Sequence, residues 1–172
     1  VSLLDSVKQD AIRPYVAGRT VHDLGAGKLI EARMLVRLGA ARVIAIDRNP
    51  MPHPEMGCID RIRSHFKDWQ HDGVIDVAFL SWPLNYDTGV LRLLRSSTVV
   101  IYHGKCTDGT MCGYPEMWHH LLNREVYVHV HSREGVLIVY GPGAIVRDPL
   151  PEEKCGMDLD RQYSYTVAYF GA

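Results

Sequence analysis

The sequence predicts an α/β fold: a mostly parallel sheet with helices on both faces, finished by a C-terminal antiparallel hairpin. Three observations lead there. Apolar strand runs alternate with helix-period segments over most of the chain. Val43–Ile46 is continuously apolar, and Val74–Leu80 and Thr98–Tyr102 are strongly apolar, as parallel strands covered on both faces require. Beyond Arg124 the pattern changes. Val126, Val128 and Val130 alternate with Tyr127, His129 and His131, and a Gly-containing link leads to Val136–Tyr140, which reads as a hairpin.

Taken in order, Leu3, Leu4, Val7, Ile12 and Val16 predict a leading helix that packs over the sheet near the site, bent or ended at Pro14. Thr20, Val21 and Leu24 give a short strand. Gly25 and Gly27 free the backbone to turn sharply and approach a ligand. Ile30, Met34, Leu35 and Leu38 place a helix over Lys28–Leu38, which Gly39 ends. Val43–Ile46 is the second strand, tipped by Asp47. A proline-rich connection follows over Asn49–Met56. Ile59, Ile62 and Phe66 lead toward a third strand expected within His65–Trp69. Val74–Leu80 is the fourth strand, with Ser81-Trp82-Pro83-Leu84-Asn85-Tyr86 at its end. Val90, Leu91, Leu93 and Leu94 mark a helix. The fifth strand, Thr98–Tyr102, closes at His103-Gly104, and Pro115 starts a helix over Glu116–Leu122. Gly141 to Pro151 reads as irregular, and Tyr163–Phe170 as a further strand.

The informative stretch is Thr20–Pro50. Strand, helix and strand in this order form a right-handed crossover, and ligands of such sheets bind at the carboxyl ends of the strands. Asp23 and Asp47 both stand there. A carboxylate ending the second strand is placed to accept hydrogen bonds from both hydroxyls of a ribose. Gly-Ala-Gly alone also serves as a plain tight turn, but two placed acids favour a cofactor site.

The stretch resembles the first two motifs of class I S-adenosylmethionine-dependent methyltransferases. Asp23-Leu24-Gly25-Ala26-Gly27 matches the family's acid-x-Gly-x-Gly loop after strand one, and Asp47 matches its ribose-binding acid. Many members carry a further glycine where this chain has Leu29. The resemblance implies a three-layer Rossmann-like methyltransferase fold with an antiparallel last strand, over residues 1–141. Residues 142–172 then form a C-terminal extension packed on the same domain or on a partner, with homo-oligomerisation through it an open option. The implied cofactor is S-adenosyl-L-methionine, held by Asp23, Gly25, Ala26, Gly27 and Asp47, with Asp68 toward the adenine amine and Arg48 over the other adenine face. A nicotinamide-dinucleotide fold is the rival, but Ile30 stands where its third glycine belongs.

In the resembled family the segment after strand four faces the transferred methyl group. Amino-methylating nucleic-acid enzymes place Asp/Asn/Ser-Pro-Pro-aromatic there. This chain keeps Ser81 and Pro83, with Trp82 between them. A Trp-Pro turn that closes the cofactor pocket is the equal alternative. His103, at the tip of strand five, is placed as a base active near neutral pH. The expected function is methyl transfer to a small molecule or a nucleic-acid base, with Ser81, Trp82, Pro83 and His103 as the catalytic segment. The alternative is a catalytically weak regulatory protein that binds the same cofactor.

Composition narrows the classes. The chain has 172 residues, 47% of them hydrophobic, and a formal net charge of −1, so no global pull toward nucleic acid or anionic membrane is expected. No apolar run is long enough to span a bilayer, and no membrane partner is expected. The start shows no signal-peptide pattern. Irregular spacing of Cys58, Cys106, Cys112 and Cys155 favours free thiols in the cytoplasm. Cys106, Cys112, His119 and His120 show no standard zinc spacing, so no metal is expected. His129 and His131 share one strand face and read as surface or interface groups.

Overall fold

The computed structural model describes residues 4–50, 57–83, 89–105 and 114–157. Leu84-Asn85-Tyr86, Cys106, Cys112, the Met51–Met56 part of the proline-rich connection and the strand expected at Tyr163–Phe170 lie outside the described residues.

The chain opens with α1 (Ser6–Val16), capped by the Asp5 side chain, which accepts the Lys8 N–H at 2.9 Å. Pro14 does not end this helix. It sits in the last turn, and the helix runs on to Val16. Next come β1 (Thr20–Leu24), α2 (Ile30–Arg37) and β2 (Arg42–Asp47), the expected crossover. Gly39, at φ +97°, closes α2 in the left-handed region.

The third strand departs from expectation. β3 is Ile59–Arg63, earlier than His65–Trp69. It lies on the sheet edge, where one partner and a half-buried face let Asp60, Arg61 and Arg63 replace the expected apolar run. Residues 65–69 form a turn instead, in which the Asp68 and Trp69 N–H groups donate to the His65 carbonyl at 3.1 and 3.0 Å.

β4 (Ile75–Ser81), α3 (Val90–Arg95), β5 (Ser97–Gly104) and α4 (Pro115–Leu122) follow as expected, then the hairpin β6 (Val126–Ser132) and β7 (Gly135–Tyr140). A short helix, α5 (Pro151–Gly156), stands within the segment beyond β7, where no helix is expected from sequence. The described helices include none long and apolar enough to cross a membrane.

The strands form one sheet in the order β3-β2-β1-β4-β5-β7-β6. β7 pairs antiparallel with both neighbours, and every other pairing is parallel, so β7 alone runs against the rest. Each face carries its own core. Val21, Ala45, Phe79 and Ile101 pack against Ile12 and Val16 of α1 and against Met34 and Leu35 of α2. Ile46, Leu80, Tyr102 and Ile138 pack against Leu93 and Leu94 of α3 and against Trp118 and Leu121 of α4. Three layers result. Burying each such side chain contributes roughly 1.5–3 kcal/mol.

A guanidinium hub ties the far end together. Arg124 donates to the carbonyls of Leu94, Ser97, Thr98 and Gly141. Arg147 pairs with Glu153, which is fully buried, at 2.7 Å, and the Tyr140 hydroxyl donates to the same carboxylate at 3.1 Å. The described part of the C-terminal extension is thus pinned to the hairpin and to α4.

Candidate functional site

Register brings five strand tips to one edge. Leu24 lies beside Ile46 and Leu80, Asp47 beside Arg63, and Ser81 beside His103. The chain leaves β1 outward to β2 and β3, then crosses back to β4 on the other side of β1. Ligands of open α/β sheets bind at this reversal.

The glycine corner sits there. The Gly25 and Ala26 N–H groups both donate to the Ile46 carbonyl, at 2.9 and 3.1 Å, which laces the turn to the tip of β2. Gly25 has φ +90° and Gly27 φ +46°. The turn continues one step further than sequence indicates. Leu29 also takes the left-handed conformation, φ 61° and ψ 20°, so α2 starts at Ile30 rather than at Lys28. Leu29 holds the geometry a glycine would hold, and does so with its side chain buried in the α1/α2 core.

Asp47 closes the corner from the opposite side. Its Oδ2 accepts the Gly27 N–H at 3.0 Å and its Oδ1 accepts the Asn49 N–H at 2.8 Å. Each oxygen keeps a lone pair for a ligand hydroxyl. Between these tips lies a cleft of about 640 Å³, mouth included. Gly25, Asp47 and Arg48 line one side of it, Ser64 and Phe66 a second, and Ser81, Trp82 and Pro83 a third.

Other expected site residues stand behind this wall. Successive strand side chains point to opposite faces, so Leu24 lines the cleft while Asp23 turns toward α2. Asp23 is 2% exposed, and its Oδ2 has no hydrogen-bond partner among the described residues. Burial, and then the nearby Glu31 and Asp47 carboxylates, push its pKa from 3.8 up to about 8. Ala26 is buried, and neither it nor Gly27 lines the cleft. Asp68 is displaced with the strand boundary. β3 ends at Arg63, Ser64 and Phe66 reach the cleft, and Asp68 lies in the turn beyond them.

His103 is fully buried behind Ser81 and Trp82. Its Nδ1 lies 3.3 Å from Ser81 Oγ, and its Nε2 lies 3.2 Å from Nζ of Lys8, a fully buried lysine of α1. Burial, and then Lys8, lower the His103 pKa to about 4, while burial lowers that of Lys8. His103 is therefore a neutral imidazole near pH 7. Where the lysine donates to Nε2, the imidazole proton is assigned to Nδ1, which donates it to Ser81 Oγ. The serine's own O–H is then free to point into the cleft. His103 reaches the cleft only through that hydroxyl.

Trp82 carries the other left-handed non-glycine backbone among the described residues, φ 53°. Its N–H donates to the His103 carbonyl at 2.7 Å, and its ring meets the His103 ring edge-on at 5.8 Å. Such a conformation costs about 1–3 kcal/mol and collects at functional sites.

Sequence reasoning missed Lys8, Ser64 and Phe66. For Lys8 the signal was present: Lys8, Ile12 and Val16 share one helix face at four-residue spacing, and all three are buried. A lysine on an apolar stripe marks a paired internal amine. For Ser64 and Phe66 the weak edge strand hid the boundary that places them.

The sequence matches no family model and no curated protein. Solved structures do match. An N-methyltransferase, NodS, from Bradyrhizobium japonicum superposes with a TM-score of 0.56 at 12% identity, over 81% of this chain and 98% of its own. The ribosomal protein L11 methylase of Lactobacillus delbrueckii subsp. bulgaricus gives 0.55 at 17%, over 80% and 75%. A Pyrococcus horikoshii protein described as a "putative RNA methyltransferase" gives 0.55 at 14%, over 82% and 84%. The chain has the fold of the class I methyltransferases.

Proposed function

We propose that the chain is an S-adenosyl-L-methionine-dependent methyltransferase whose acceptor is a small molecule or a nucleic-acid base. The carrying observation is the cleft at the strand reversal, with the side-chain-free Gly25 on one side and the Asp47 carboxylate at its rim. A Cβ placed on Gly25 would stand 3.9 Å from Phe66 Cζ, so any side chain there would enter the space facing that ring. These residues suit an adenosyl ligand. Asp47 accepts the ribose hydroxyls, Phe66 packs on the adenine, Arg48 covers its other face, and Ser64 takes the edge expected of Asp68. Asp23 lies buried beneath the corner, facing α2, and supports the turn from behind rather than lining the cleft.

The bound cofactor supplies an electrophilic methyl group. The chain's own part is to orient the acceptor and exclude water, and orientation carries much of the rate in such a transfer. Ser81, Trp82 and Pro83 form the acceptor side of the cleft. The neutral His103 and the Lys8 amine hold Ser81 so that its hydroxyl proton faces the acceptor. They are positioning residues, since neither lines the cleft.

The fold does not select an acceptor. The named neighbours include an N-methyltransferase, a ribosomal-protein methylase and a protein described as acting on RNA. Two measurements test the proposal. Calorimetry should show S-adenosylhomocysteine binding to folded protein, and labelled cofactor should transfer its methyl group to small-molecule or nucleic-acid pools. Salt-sensitive binding of an oligonucleotide would favour a base as acceptor. Cofactor binding without transfer to any pool would identify a regulatory protein on this fold, and no binding at millimolar ligand would end both readings.

A further inference from the structure

On the edge strand β6, His129 and His131 project from the same face, as residues two apart in a strand must. The face they share is opposite Val128 and Val130, which pack on the α1/α2 core. Across from the two imidazoles, the first turn of α5 lays down Glu152. Its Oε2 lies 3.1 Å from His129 Nε2 and its Oε1 2.6 Å from His131 Nε2. The two rings are 4.7 Å apart, inclined at 65°. All three donor atoms fall within 4.8 Å of one another.

The carboxylate of Glu152 is 7% exposed, and no lysine or arginine among the described residues pairs with it. Among the described residues its charged partners are the two imidazoles, each carrying charge only when protonated, where a buried carboxylate ordinarily takes a fixed cation. Its neighbour in the same helix, Glu153, has such a partner in Arg147. The two glutamates thus stand in opposite situations one residue apart. His131 is 62% exposed, so the third side of the cluster opens to solvent.

We propose that His129, His131 and Glu152 form a site for one divalent transition-metal ion, zinc-like in preference, that clamps α5 to the edge of the sheet. Two imidazoles and a carboxylate, with an open position for water, are a donor set that such ions accept. Magnesium and calcium, which take oxygen ligands, do not suit it. Bonds of about 2.0–2.2 Å at a tetrahedral centre set neighbouring donors roughly 3.4 Å apart. The three donor atoms, one per residue and all within 4.8 Å of one another, therefore need to shift relative to each other by no more than about 1.4 Å as the ion enters. On binding, each Nε2 proton is released to solvent, and each ring ligates as the neutral tautomer with its proton on Nδ1: a doubly protonated ring loses one proton, and a neutral ring exchanges Nε2–H for Nδ1–H through water. The Nε2–H···O hydrogen bonds are replaced by Nε2–metal and O–metal bonds.

The experiment is titration of the full, tag-free, chelator-treated chain with Co²⁺, followed by visible spectroscopy and by Zn²⁺ displacement. One equivalent should bind, with d–d bands of a low-coordinate N/O site and no thiolate charge transfer, and Zn²⁺ should displace it. Zn²⁺ should also raise the melting temperature by several degrees. His131→Ala alters a largely exposed side chain and leaves folding intact. It should weaken uptake by more than roughly 100-fold, beyond the loss that an outer-shell change produces, and should abolish the thermal shift. Glu152→Gln should do the same where it folds. No uptake at submillimolar Co²⁺, uptake unchanged in His131→Ala, or a thiolate band would each overturn the proposal.

Discussion

Leu29 offers a sharp test of how this glycine corner is built. Its backbone is left-handed, φ 61° and ψ 20°, and its side chain is 2% exposed. A non-glycine residue in that conformation costs about 1–2 kcal/mol. Burying a leucine returns roughly 1.5–3 kcal/mol, enough to hold the strain. Replacing it by alanine removes the burial and keeps the Cβ clash, so Leu29→Ala should cost about 2–5 kcal/mol. Replacing it by glycine removes the burial and also the strain. Glycine adds about 0.5–1 kcal/mol of chain entropy but regains about 1–2 kcal/mol of strain. Leu29→Gly should therefore be more stable than Leu29→Ala by about 0.75 kcal/mol, the midpoint of a difference that spans roughly 0–1.5 kcal/mol. That reverses the order inside an ordinary helix, where glycine is worse than alanine by about 1 kcal/mol. Equilibrium urea unfolding of both variants at constant m-value reads the difference directly. An alanine variant more stable than the glycine one would refute the left-handed corner. Because leucine already holds the turn, Leu29→Gly should leave S-adenosylhomocysteine affinity within about twofold, a shift under 0.5 kcal/mol.

Two further outcomes follow from buried charge. The folded-state pKa of Asp23, about 8, lies above its ordinary 3.8, so the folded chain holds a proton that the unfolded chain releases. The stability from the neutral acid is full below about pH 4 and is lost as pH rises through 8. Asp23→Asn should therefore gain on the wild type as pH rises from 5 to 8, by at most about 1.4 kcal/mol per pH unit. Denaturation at several pH values would show this, and a constant offset would contradict it. Glu153→Gln should destabilise by about 1.5–3 kcal/mol, because it removes the charged acceptor of the half-buried Arg147 guanidinium. A chemical melt within 1 kcal/mol of wild type would show instead that water supports that arginine.

The elements that sequence made legible are those whose pattern is local. Val43–Ile46, Val77–Leu80 and Val99–Tyr102 are apolar runs because helices cover both faces. The hairpin announced itself by alternation around its glycine. What escaped is what tertiary context decides. β3 carries two isoleucines among three charged residues, since an edge needs little more. α5 is one short turn-and-a-half started by Pro151, below the length at which periodicity can speak. In the site, Gly25, Asp47 and the Ser81–Pro83 segment were readable as a turn and two strand tips. The burial of Asp23 beneath the corner follows from side-chain alternation along β1 once the cleft face is known. The Ser81–His103–Lys8 chain and the His129–His131–Glu152 cluster join residues far apart in sequence, and spacing cannot show them.

The proposed function requires Asp47 to grip the sugar of an adenosyl ligand laid against the Gly25 corner. Calorimetric titration of S-adenosylhomocysteine into wild type and Asp47→Ala, with urea unfolding of both, measures it. Binding to the wild type should be saturable and one-to-one. The variant should lose at least about tenfold, or 1.4 kcal/mol, while folding stability changes less. Binding that is undetectable in folded wild type, or equal in the two proteins, would contradict it.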